Sequence, residues 1–466
     1  MNRIRLLNPE KICKNTAILG PIPSEKSLLK DTFNMAWPSV VDSFSVNLAG
    51  MIDTIMVGSL GASAIAAVGL TTQPKFFAMA IFFALNVASS AIIARRKGED
   101  NRESANRVLR MTLLITIVLT LLITVACIVF ANPIIQFMGA KEDTHKLAVE
   151  YFQIVMAGIV FNTITIIING AQRGAGNTRI SMVTNIISNV INTMFNYVLI
   201  GGHFGFPKMG VKGAAVATVI GAACGCFLSV RSLFRKNSFI YFSAAKGFVA
   251  DELSRKSMVK IGSSAFVEQM CMRVGFILFV KTIANLGTVE MAAHQIGMNM
   301  MSLSFSIGDG FSIAAATLIG QSLGRKRPDI AKIYGSACQR IGFICALCIS
   351  LVYTLFGKEI YKMFVKDLDV IGYGVTIMQI LSVILFLQIA QVVQFGCLRG
   401  AGDTKFTAIV SLISVTIIRP GMSALLCYPM GLGLIGAWIG TGCDQLVRFS
   451  LSHHRFKKNQ WMKLKL

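Results

Sequence analysis

Residues 170–178 read GAQRGAGNT, and residues 396–404 read GCLRGAGDT. The second phrase sets Gly396 against Gly170, and that one offset holds well beyond the phrase. It carries Leu60-Gly61 and Ala66-Ala67 onto Leu286-Gly287 and Ala292-Ala293. It also carries Ile93 and Gly98 onto Ile319 and Gly324, and Asp42 onto Glu268. A single gap-free shift that aligns separated stretches marks an internal duplication. In a strongly apolar chain, such a duplication is the mark of many secondary transporters.

The chain is strongly apolar. Of its 466 residues, 54% are hydrophobic and 14% charged, and the mean hydropathy is +0.64. A soluble domain carries about 25% charged residues. The net charge of +23 sits in short clusters between apolar runs. That is how a polytopic membrane protein displays its orientation, and it argues against a nucleic-acid partner. The cysteines lie mostly inside apolar runs (Cys127, Cys224, Cys226, Cys345, Cys348), and Cys345-x-x-Cys348 lacks a second pair or a nearby histidine. A zinc or redox role is not expected of them. No HExxH, paired-acid metal motif or nucleophile constellation stands out, so neither an enzyme nor a cofactor is expected.

A membrane span needs about 20 mostly apolar residues. The runs predict an all-α polytopic membrane protein with twelve helices, near 34–57, 70–94, 111–131, 149–171, 180–201 and 211–231, then 261–284, 291–322, 341–357, 372–397, 406–428 and 433–451. The expected organisation is a leader (1–33), a first six-helix lobe (34–231), a linker (232–260), a second lobe (261–451) and a basic tail (452–466). The linker carries Arg235, Lys236, Lys246, Arg255, Lys256 and Lys260. Lys and Arg also crowd the leader, the Arg95–Arg110 loop, the Arg325–Lys332 loop and the tail, while the alternate loops hold few. By the positive-inside rule both termini are cytoplasmic. Lobes with an even number of spans should be related by an axis along the membrane normal, with a central cavity between them.

Where the copies disagree, the difference is informative. Asp53 maps to Phe279, and Asn192 and Asn196 map to Ile418 and Met422. The two asparagines are four apart and share one helix face. The first half thus keeps a carboxylate and two amides that the second replaces with hydrocarbon. An ionisable residue within a span is costly and is a functional candidate by default. One carboxylate with amide, hydroxyl and carbonyl oxygens suits a proton or sodium, with Asp53, Asn192 and Asn196 as the metal ligands in the sodium case.

Other acids are secondary candidates for a cavity or substrate contact. Asp42 and Glu268 are equivalent positions that either brace the bundle or line the cavity, and Arg273 is an expected local neutraliser of Glu268. Asp309, in Ser306-Ile307-Gly308-Asp309-Gly310, is expected to face a cavity. Asp444 and Arg448, four apart, are expected to pair. In the repeated phrase, glycine supplies a tight turn, Asn177 or Asp403 caps the next helix, and Arg173 or Arg399 reaches carbonyls or phosphates. Arg419-Pro420 is expected to bend the eleventh span, and His294 to be a packing residue. Methionines such as Met270, Met272, Met298, Met300 and Met301 suit lipid-facing, core or adaptable cavity positions.

Together, IDTIMVGSLG (52–61), AAVGL (66–70), QRGAGNT (172–178), LGTVEMAAHQI (286–296), LIGQSLG (318–324) and LRGAGDT (398–404) resemble the MATE family, the multidrug and toxic compound extrusion transporters of the bacterial NorM/DinF type. The resemblance runs from Asn34 to about Leu451. It implies two six-helix lobes, alternating access, and export of cationic or amphipathic compounds driven by sodium or protons. It also implies a cation site at Asp53, Asn192, Asn196, Ala214 and Thr218. DinF-type members place a second aspartate where this chain has Asn196, so the match is to the NorM arrangement. The carboxy-lobe acids of NorM transporters fall on Gln388 and Met272, with Glu268 one turn earlier, so the ion site is expected in the first lobe.

The resulting expectation is an antiporter of small organic cations in the plasma (inner) membrane, monomeric in the lipid bilayer and coupled to Na+ or H+. A flippase of lipid-linked precursors in the same superfamily is the alternative. It would be expected to show more spans and a cavity rich in basic residues.

Overall fold

A computed structural model describes residues 7–13, 16–235, 238–243, 247–248, 250–365 and 367–464. The linker lysines Lys236 and Lys246 lie outside them. The described residues form no strand, and the helices follow the apolar runs in order. In the first half they are Glu25–Gly58, Ala62–Gly98, Arg102–Val129, the pair Glu142–Ala157 and Ile159–Gly174, Thr178–Gly201 and Val211–Ser232. In the second half they are Glu252–Ala284, Thr288–Gly324, Pro328–Phe364, Leu368–Gly400, Thr404–Cys427 and Gly433–Lys457. These are called helices one to twelve below.

Among the described residues, ten of these helices are long and apolar enough to cross a bilayer, and an eleventh span forms if the bent fourth counts as one. The twelfth is a helix of 25 residues, but Asp444, Arg448, Arg455 and Lys457 dilute its apolar run. Lipid is what the outer faces require. Leu121, Leu122, Val125 and Val129 on helix three are 56–65% exposed, which only hydrocarbon makes favourable for such a run.

Two local features depart from the expected spans. Helix four, expected near 149–171, is a pair of helices that bends by 46° at Gly158. A side chain there would run into Val219 of helix six, so the glycine lets the two helices touch. In helix eleven the break lies before Arg419-Pro420. Leu412–Ile418 forms a π-helical segment, and Pro420 sits in the first turn of Arg419–Cys427, where a missing N–H costs nothing.

The chain divides into two compact units. The amino unit is Val41–Gly262, with a core that includes Met79, Ile135, Phe152 and Met156. The carboxy unit joins Met1–Val40 to Ser263–Leu466, and Ala36 packs there with Phe311, Ile319, Leu385 and Val393. The leader is part of its core. Leu7 and Cys13 are buried with Leu318, Ile333 and Tyr334, and the Leu19 amide donates to Asp329 at 3.3 Å.

Candidate functional site

The repeated phrase does three jobs in each unit, and the first is close approach. A Cβ at Gly170 or Gly174 would collide with Asn86 or the Ser90 carbonyl on helix two. A Cβ at Gly396 or Gly400 would collide with Ser312 or the Ala316 carbonyl on helix eight. The repeat pairs these positions directly, Gly170 with Gly396 and Gly174 with Gly400. Glycines four apart let two backbones meet, as small residues do at membrane helix crossings. The second job is the turn, with Gly176 and Gly402 at φ 94° and 86°. The third belongs to the arginines, which stand beside buried carboxylates.

In the amino unit, Ser181 Oγ and Asn185 Nδ2 each donate to Asp42 at 2.7 Å, and Arg173 Nη1 stands 3.8 Å from the same carboxylate. In the carboxy unit, Arg399 Nη2 is 2.5 Å from Glu268 Oε1, Thr407 Oγ1 donates at 2.9 Å and Ser411 Oγ at 3.4 Å. The repeat maps the first set onto the second member by member: Asp42 onto Glu268, Arg173 onto Arg399, Ser181 onto Thr407 and Asn185 onto Ser411. Asp42 and Glu268 are 3% and 1% exposed, so neither is open to a substrate in this structure. Arg399, from the repeated phrase, pairs with Glu268. Asn177 and Asp403 make no side-chain cap. Asp403 instead accepts from Arg455 Nε at 2.8 Å.

Moving eleven residues along helices one and five, from Asp42 to Asp53 and from Ser181 and Asn185 to Asn192 and Asn196, reaches a second set of the same design. Eleven residues make about three turns and about 16 Å of rise, which returns the same faces to each other. Asn196 Nδ2 donates to Asp53 Oδ1 at 2.6 Å. With its amide nitrogen turned to the carboxylate, Asn192 donates to the same oxygen at 2.9 Å and accepts from the Thr218 amide at 3.2 Å. The opposite amide orientation leaves a 3.4 Å contact to Thr218 Oγ1. Thr218 Oγ1 donates to the Ala214 carbonyl at 2.9 Å, and Asn196 Oδ1 is buried without a partner. The expected residues Asp53, Asn192, Asn196, Ala214 and Thr218 thus come together.

Two residues that the motifs do not mark join them. Tyr151 lies beside Thr218 in the field of Asp53, and Lys75 is the charged neighbour of Asp53. The remaining candidates lie in the carboxy unit and do not form a matching set. Gln388 is buried and donates to the Met301 carbonyl at 3.4 Å. Met272 and Asp309 are half-buried on helices seven and eight. His294 packs edge-on to Phe279, with ring centres 5.4 Å apart, as expected of a packing residue.

The chain matches the family profile described as MatE over residues 38–198 and 264–425. It is 28% identical over 452 residues to a probable multidrug resistance protein NorM of Thermotoga maritima, covering 95% of both chains. It is 24% identical over 455 residues to an uncharacterized transporter, YisQ, of Bacillus subtilis, covering 97% of this chain and 98% of that one. Among solved structures, an outward-facing multidrug resistance MATE family transporter of the MOP superfamily superposes with a TM-score of 0.86 at 21% identity, covering 94% of this chain and 97% of that one. A MATE structure in the straight conformation gives 0.86 at 22% identity, covering 92% and 96%. Likeness at this level establishes the fold.

Proposed function

The chain belongs to the MatE family, and from that premise we propose that it exports organic cations or amphipathic drugs in exchange for an inward sodium ion or proton bound at Asp53. The observation that carries this reading is the polar set around Asp53, present in one half of a duplicated chain and replaced by Phe279, Ile418 and Met422 in the other. The similar proteins described as multidrug resistance transporters support the substrate class.

The chemistry of the set supports the ion. An amide is both donor and acceptor. As described, Asn196 holds Asp53 through its nitrogen and keeps a buried oxygen unsatisfied. A sodium ion needs oxygen ligands. Its arrival would turn the amides so that Asn192 and Asn196 present oxygens beside the Asp53 carboxylate and the Thr218 hydroxyl. A proton on Asp53 would convert an acceptor into a donor and favour the same reorientation. Either event changes the bonds between helices one, five and six, which is the differential contact that coupling requires.

Ethidium efflux from proteoliposomes tests the proposal, with sodium and proton gradients imposed separately on wild type and Asp53→Asn. Wild-type efflux under one gradient and none in the variant is the expected result. Normal coupling in Asp53→Asn would overturn the assignment.

A further inference from the structure

Position for position, the carboxy unit repeats the inner carboxylate set and not the outer one, and a buried charge lies near one of its hydrocarbon replacements. Phe279 stands where the repeat places Asp53, and Ile418 stands where it places Asn192. The helix-six counterpart is also identifiable. Thr441 Oγ1 donates to the Ala437 carbonyl at 3.3 Å, as Thr218 does to Ala214. The register slips slightly there, with Gly433 against Gly210, because the preceding loop is shorter in the second copy. One turn beyond Thr441 lies Asp444, fully buried. Its Oδ2 accepts from Arg419 Nη2 at 2.5 Å, Arg419 Nε at 3.0 Å and Arg448 Nη2 at 2.7 Å. The π segment Leu412–Ile418 ends at Arg419, whose side chain is buried. Its guanidinium carbon lies 5.7 Å from the Phe279 ring centre and 4.9 Å from that of Phe276.

We propose that Arg419 is a tethered cation that permanently fills the carboxy unit's copy of the ion site, so that a single coupling ion is exchanged per cycle, through the amino unit alone. This rests on the proposed role of Asp53. A guanidinium matches what a buried cation site needs. It neutralises a carboxylate by two hydrogen bonds and lies near aromatic rings. Held on the chain, it never leaves, so a free ion does not compete with it at ordinary concentration. Arg448 adds a second positive charge to the one carboxylate, which repels a further cation. Breaking a buried pair leaves an uncompensated charge, so removing the tethered cations should create a demand for a free one.

The test is thermal unfolding in detergent with sodium chloride or millimolar guanidinium chloride added, choline chloride being the control. Four proteins are compared: wild type, Asp53→Asn, Arg419→Ala, and Arg419→Ala with Arg448→Ala. The expected result is that Asp53→Asn has no cation-specific stabilisation left. The Arg419 variants gain one, largest in the double variant, with guanidinium more effective than sodium. A cation-specific shift that persists in Asp53→Asn would show a second exchangeable site and overturn the proposal. So would folded, monodisperse Arg419 variants that ignore both cations. Should the alanine variants fail to fold, Arg419→Lys decides. It should fold without added cation, and its loss alongside Arg419→Ala would overturn the tethered-charge reading. If wild type transports without dependence on Asp53, the proposed function fails, while the Arg419 variants still report on the carboxy unit.

Discussion

Lys75 sits half-buried on helix two as the charged neighbour of Asp53. A fixed positive charge near a carboxylate lowers its affinity for a free cation. At an effective dielectric near 20, removing that repulsion is worth about 1 kcal/mol. Lys75→Met should therefore lower the half-saturating concentration of the coupling cation about fivefold, read from efflux at graded ion concentration. An unchanged or raised value would mean that Lys75 does not act on the site. Neither Lys75 nor Tyr151 belongs to a recognisable motif. Comparison of the copies marks both, because the repeat sets Lys75 against Met301 and Tyr151 against Ile377. The polarity of these residues is legible in the sequence. Their convergence on Asp53 is not, since it depends on which faces of helices two and four turn inward.

Helices one and five of the amino unit share two carboxylate sets, at Asp42 and Asp53, whereas helices seven and eleven share one, at Glu268. On this comparison the inner sets are expected to brace the helices, because the unit without an Asp53 counterpart keeps its own. Removing the arginine should cost more where the pair is tight. Arg399→Gln leaves Glu268 buried and unpaired, at about 3 kcal/mol. Arg173, at 3.8 Å from an aspartate already held by Ser181 and Asn185, should cost clearly less. Thermal unfolding of both variants checks the order, and adding Glu268→Gln to Arg399→Gln should restore part of the loss. Equal losses would sink the argument. The sequence shows the members of both sets in register but not their bonds, which close between residues 131 to 143 apart. The π segment of helix eleven carries no composition signal at all.

A different joint shows why pH should act at the site and not on the scaffold. Asp251, before helix seven, loses water on burial, which raises its pKa. Hydrogen bonds from Ser254 and Ser104 and the nearby Arg96 outweigh that, and hold it below the usual carboxylate value. A depressed carboxylate contributes stability above its unfolded pKa of about 3.9 and loses it only as pH falls through the lower folded value. This clamp is therefore complete throughout the neutral range. Asp251→Asn should scale transport without changing the shape of its profile between about pH 6 and 8. A displaced profile would place a working proton at the joint.

For the whole molecule, the duplication is what the sequence states most clearly, and the matched helix crossings are its structural consequence. The repeated phrase reads as a turn because of Gly176 and Gly402. The earlier glycines, Gly170, Gly174, Gly396 and Gly400, carry the packing, which a turn reading does not reveal. An alanine Cβ at Gly174 would stand 2.5 Å from the Ser90 carbonyl oxygen, and one at Gly400 would stand 2.3 Å from that of Ala316. Both neighbours are backbone, so the helices must part. Overpacking of this kind costs about 1–3 kcal/mol. Gly174→Ala and Gly400→Ala should be destabilising to a similar degree and should add in the double variant, since they lie in different compact units. Their effects on coupling should differ. Gly174 lies on the helix that enters the Asp53-bearing unit's repeated turn, whereas Gly400 serves the unit in which Arg419 is proposed to fill the ion site. Ion dependence of efflux should therefore shift in Gly174→Ala and stay unchanged in Gly400→Ala, at matched loss of stability. Equal shifts in both would show that ion coupling is not confined to the amino unit.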